Sequence, residues 1–120
     1  MALKEKALKR LAEKLNAAGV CWALCGDFVR CRRGQAQAWH TFELVCAERD
    51  RAKADQLLTR LGMRHEEADG SVSYHFDGAD ITLYSAAAFA MTADTPVDTE
   101  PVLGVPVPML TAEELEKVNG

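Results

Sequence analysis

The chain has 120 residues, 48 % of them hydrophobic, and a net charge of −4, enough length and apolar content for one domain that buries a core without disulfides or metal. No run approaches the roughly 20 apolar residues of a membrane-spanning helix, and residues 1–19 interleave charge with Leu and Ala, unlike a secretory signal, so a soluble cytoplasmic protein is expected. Residues 1–64 hold thirteen Lys and Arg against seven acids and residues 65–120 one Lys against eleven acids; this gives no reason to expect general nucleic-acid binding, although such polarity could orient a protein partner or another copy of the chain.

Residues 2–18 predict an amphipathic helix, with Leu3, Ala7, Leu8, Leu11, Leu15 and Ala18 at three- and four-residue spacing and most lysines opposite. Gly19 ends it. Val20 to Cys25 is apolar on both faces, as an interior strand requires. Gly26 permits a close turn, and Asp27 is placed to cap a short helix anchored by Phe28, Val29 and Cys31, with Arg30, Arg32 and Arg33 on its outer side. After a polar loop at 34–38, residues 41–46 form the second strand, with Thr41, Glu43 and Val45 on one face and Phe42, Leu44 and Cys46 on the other. Glu43 is anomalous there. A carboxylate buried without a partner costs several kcal/mol, so it must face a cleft, a cation or solvent.

Residues 50–61 predict the third helix, with Ala54, Leu57, Leu58 and Leu61 inward and Gly62 as its stop. Residues 63–66 form a short edge strand, Asp69-Gly70 a turn, 71–76 a half-exposed strand, Asp77-Gly78 a second turn, and 79–84 a strand with Asp80, Thr82 and Tyr84 on one face. A short helix is expected at 86–91, then a loop. The prolines of residues 100–110 predict a single extended edge segment. Thr111 with Glu114 three residues on opens the last helix as a capping box.

Cys21, Cys25, Cys31 and Cys46 lack paired zinc-ligand spacing and fall in or beside buried strands, so they are expected as reduced thiols. Cys21 and Cys25, four apart on a strand, lie roughly 13 Å from one another, too far for a disulfide. His40, His65 and His75 fall at no ligand spacing.

In this order of elements the residues resemble the minimal nucleotidyltransferase domain of the polymerase-beta-like superfamily, which includes the antibiotic nucleotidyltransferases. There, a strand ends in Gly-Gly or Gly-Ser, a short helix follows, the next strand carries Asp-x-Asp and a later strand a third Asp. The corresponding residues are Cys25-Gly26, then Thr41-Phe42-Glu43, then Asp80 in Ala-Asp-Ile-Thr-Leu; the ending Gly-Val-Pro-Val-Pro-Met-Leu-Thr-Ala-Glu-Glu-Leu resembles the superfamily's closing strand and helix. The resemblance implies a single α/β domain over residues 1–120, a mixed sheet of four or five strands with helices largely on one side.

It also implies a site in which Glu43 and Asp80 serve as catalytic metal ligands and Gly26, Asp27, Arg30, Arg33 and Thr41 meet the nucleotide, with Mg²⁺ and ATP as cofactors if the domain is active. The superfamily's carboxylates hold magnesium, which demands oxygen ligands in near-octahedral geometry. Thr41 replaces the first of them with a neutral hydroxyl. Asp27 puts a negative charge at the expected phosphate end. The expectation is therefore a nucleotidyltransferase-like domain whose catalysis is weakened or lost and which acts as a binding or regulatory module. The alternatives are an active magnesium-dependent enzyme moving a nucleotidyl group from ATP to a hydroxyl, and a structural partner of a helical companion, as small members of the superfamily are. Strand alternation predicts that Thr41, Glu43 and Asp80 face one shared cleft if their strands are neighbours.

Overall fold

The computed structural model describes residues 3–118. Its elements are α1 (Leu3–Ala17), β1 (Trp22–Cys25), α2 (Gly26–Arg32), β2 (Thr41–Cys46), a 3₁₀ turn (Glu48–Asp50), α3 (Arg51–Thr59), β3 (Met63–Glu66), β4 (Val72–Phe76), β5 (Ala79–Leu83), β6 (Val97–Val102), β7 (Val105–Leu110) and α4 (Ala112–Leu115). The first helix starts at Leu3; Ala2, its expected start, lies outside the described residues. One seven-stranded sheet runs in the order β3-β4-β5-β2-β1-β7-β6. The β1/β7 and β2/β5 pairs are parallel and the rest antiparallel.

β1, apolar on both faces, and β2, apolar on one face and at Val45 of the other, lie at the centre, and Ala23, Leu24, Cys25, Phe42, Leu44 and Val45 are all buried. Three helices cover the face that carries Trp22, Phe42 and Tyr74. The Trp22 indole donates to Asn16 of α1 at 3.0 Å, the Phe28 ring of α2 meets Phe42 edge-on at 5.0 Å, and the Tyr74 hydroxyl donates to Asp55 of α3 at 2.6 Å. α1 buries Ala7, Leu8, Leu11, Ala12 and Leu15 as one stripe. Each such leucine stabilises the fold by about 1.5–3 kcal/mol through area removed from water.

The sheet has seven strands, not the four or five expected. All the extended segments, the short edge strand β3 included, join the one sheet, and residues 97–110 add a strand because a hairpin turns at Leu103-Gly104 with φ of 50° and 82°. Its second arm, β7, is interior between β1 and β6 despite Pro106 and Pro108; β6 is the true edge. The helix expected at 86–91 is also absent. After a turn that closes from Ser85 to Ala88 and Phe89, the chain stays extended, pairing Met91 with Ala47 and burying Phe89 and Met91. Packing of those two large side chains overrides the helix propensity of four alanines. Thr111 caps the last helix as expected, its Oγ1 accepting from the Glu114 N–H at 3.4 Å, but the Glu114 carboxylate pairs with Lys117 at 2.6 Å and does not complete a capping box.

Candidate functional site

The site is built on the uncovered face of β2 and β5. Parallel pairing sets Thr41 beside Asp80 and Glu43 beside Thr82; antiparallel pairing sets His75 beside Asp80 and Cys25 beside Glu43. Directly paired residues project to the same side. Thr41, Glu43 and Asp80 therefore share a face, as strand alternation predicts, with His75, Thr82 and Cys25 among them.

Glu43 is half-buried, and its head leans back on its own chain. Its carboxylate folds against the Gly26 turn, Oε2 accepting the Asp27 N–H at 3.3 Å and Oε1 accepting the Tyr84 hydroxyl. Gly26 is required twice over: its φ is 76°, and a Cβ there would collide with the Glu43 carboxylate. This corrects the capping role expected of Asp27. The helix begins at Gly26 with Cys25 as its cap residue and no side-chain cap bond, so Asp27 already lies inside the first turn. Its N–H is met by Glu43, and its own carboxylate pairs with Arg30 at 3.5 Å.

Two hollows flank this carboxylate. One, about 240 Å³, is lined by Gly26, Asp27, Arg30, Glu43, Tyr84, Leu115 and Val118. The other, about 250 Å³, is lined by Asp27, His40, Thr41, Glu43 and Thr82. Gly26, Asp27, Arg30, Thr41 and Glu43 are thus brought together. Asp80 lies beside Thr41 on the same face but lines neither hollow; it is 66 % exposed and bonded to His75 Nδ1 at 2.7 Å. Arg33 points elsewhere, pairing with Asp98 of β6 at 3.3 Å. Among the described residues, no group of three or more His, Cys, Asp or Glu is placed to hold a metal ion.

Burial, then the bond to Glu43, holds the Tyr84 phenol well above its ordinary pKa, so Tyr84 stays a donor to that carboxylate at neutral pH. Burial likewise pushes the Cys25 thiol well up, and Glu43 adds to it, so Cys25 is no thiolate nucleophile. All four cysteines are free thiols. Sequence reasoning assigned no role to Tyr84, His75, Leu115 or Val118. The alternation of residues 79–84 already puts Tyr84 on the face of Asp80, whereas nothing local marks Leu115 and Val118 as neighbours of Gly26.

Solved structures place this arrangement among the nucleotidyltransferase-like folds. A provisionally assigned nucleotidyltransferase from Thermotoga maritima superimposes with a TM-score of 0.71 at 12 % identity, over 92 % of this chain and 80 % of that one. The antibiotic-resistance factor ANT(2″)-Ia, in its solution structure, gives 0.64 at 13 % identity over 93 % and 67 % of the two chains. Its crystal structure with adenylyl-2″-tobramycin gives 0.66 at 12 % identity over 95 % and 72 %. No family profile and no curated protein matches the sequence. At these identities the likeness establishes the fold and leaves the chemistry to the residues.

Proposed function

We propose that this is a nucleotidyltransferase-like domain in which catalysis is weakened or lost and which serves as a nucleotide-binding or regulatory module. One observation carries the reading: both oxygens of Glu43 are engaged within the chain, by the Asp27 N–H and the Tyr84 hydroxyl. A magnesium site needs several anionic or neutral oxygens free to converge in octahedral geometry. Here Glu43 is held against the Gly26 turn, Asp80 is bonded to His75 and lines neither hollow, and Thr41 is uncharged, so the charge and convergence that would hold a resident magnesium ion are reduced. What the site offers a nucleotide is the Arg30 side chain, one wall of a small hollow that it shares with Asp27, Glu43, Tyr84, Leu115 and Val118.

The alternative, an active transferase moving a nucleotidyl group from ATP to a hydroxyl, takes its support from the ANT(2″)-Ia complex with adenylyl-2″-tobramycin, which has the same fold. Calorimetric titration with ATP, with and without magnesium, separates the two. The binding-module reading expects weak affinity that changes less than tenfold on adding magnesium, and no release of pyrophosphate. Strong magnesium dependence with pyrophosphate release establishes the enzyme. Absence of any heat with ATP defeats both.

A further inference from the structure

We propose that β3 is a self-association edge through which two copies of this chain join, antiparallel, about a two-fold axis at His65. β3 ends the sheet, and all of its residues are exposed. Its outward groups follow from the ladder. The Glu67 N–H bonds to the Ser71 carbonyl at 2.9 Å, and β3 continues with His65 opposite Ser73 and Met63 opposite His75. Bonded pairs alternate in an antiparallel ladder. The N–H and C=O of His65 and Met63 therefore turn toward β4, and those of Arg64 and Glu66 turn outward, unpaired.

A second β3 can satisfy these groups only in registers that set positions 64 and 66 against 64 and 66. Pairing Arg64 with Arg64, or Glu66 with Glu66, opposes like charges, which destabilises a cross-strand pair. Centring the axis on His65 instead sets Arg64 against Glu66 of the second copy, and the reverse by symmetry. Each of those pairs then exchanges both backbone bonds and both charges. Arg64 is already held by Asp55 at 2.8 Å and Glu66 at 2.8 Å, so its guanidinium is positioned before association. On the other face, Met63 is 78 % exposed and would lie opposite Glu67 and diagonal to His65 of the second copy, so that part of its apolar surface is covered by their side-chain stems.

The opposite edge has no such complementarity. β6 carries Pro101, which lacks an N–H, and its charged residues Asp98 and Glu100 are both acidic, so a second copy would oppose like charges. Association through β3 is closed by the two-fold and stops at two copies. It puts the open faces of both sheets on one side of a continuous sheet, and it does not depend on nucleotide binding.

So short a strand buries less than the roughly 1,000 Å² of a stable interface, so the dimer is weak and concentration-dependent. Sedimentation over rising concentration should move the mass from 13.1 kDa toward twice that value, with amide exchange at Arg64 and Glu66 slowing in step. Glu66→Pro deletes one outward N–H while leaving the bonds to β4 intact, and should abolish the shift. Glu66→Arg, which keeps the backbone donor and makes the opposing charges alike, should weaken it at least tenfold. A chain that stays monomeric up to about 1 mM, near the limit of measurable association, overturns the proposal. So does a dimer that Glu66→Arg leaves unchanged.

Discussion

At Gly26, a single missing side chain makes room for the Glu43 carboxylate. Gly26→Ala places a Cβ against that carboxylate at a φ of 76° and should cost about 1–3 kcal/mol, read as a lower urea midpoint at constant slope. An unchanged midpoint would mean that Glu43 swings away freely. The Thr41 and Tyr84 positions test the cleft itself. Thr41→Asp sets a carboxylate beside Asp80, and Tyr84→Phe releases one oxygen of Glu43. Each change supplies a charge-assisted contact of about 1–3 kcal/mol. Together these amount to about 2–6 kcal/mol at about 1.4 kcal/mol per tenfold, so the double variant should gain magnesium-dependent ATP affinity of roughly thirtyfold or more in calorimetry. A folded double variant with no gain would place the obstacle elsewhere in the site.

At the scale of elements, the sequence shows most plainly where local chemistry and packing agree. Asp77-Gly78 and Leu103-Gly104 both turn a hairpin with positive φ at both residues. Only the first reads as a turn, because aspartate tolerates the left-handed region and leucine does so rarely. That hidden turn is why two strands at 97–110 look like one edge segment. The shared face of Thr41, Glu43 and Asp80 was legible because strand alternation is local; the engagement of Glu43 by Tyr84 was not, because it joins residues 41 positions apart. Long-range side-chain pairing also ties α3 to the β3/β4 hairpin, where Asp55 accepts from Arg64 at 2.8 Å and from the buried Tyr74 hydroxyl at 2.6 Å. Tyr74→Phe removes a hydrogen bond to a charged group and should lower stability by about 1.5–3 kcal/mol in urea unfolding. A loss below about 0.5 kcal/mol, the floor for an ordinary hydrogen bond, would show that water replaces the hydroxyl.

Across the whole molecule, the two oppositely charged halves of the sequence meet within one chain. Arg10 pairs with Asp77, Arg32 with Glu100 and Arg33 with Asp98, each joining a basic residue of the first half to an acid of the second. The Arg10–Asp77 pair is solvated and orients more than it stabilises, whereas the Arg33 side chain is mostly covered. The larger pH effect lies in the core, where burial raises the Cys25 and Tyr74 pKa values and pushes Cys46 from 9.0 up to about 11. Each of these groups is neutral when protonated, and its folded pKa exceeds its unfolded one. The stability tied to the neutral form is therefore complete below the unfolded pKa and is lost as pH rises toward the folded value. Urea midpoints should hold steady from neutral pH to near 9.0 and then fall toward about 11. Cys46→Val fills a similar volume without an ionisable proton, so its midpoint should fall less steeply over that range. Parallel curves for the two proteins would show that Cys46 does not contribute to the alkaline limit and that Cys25 and the tyrosines set it.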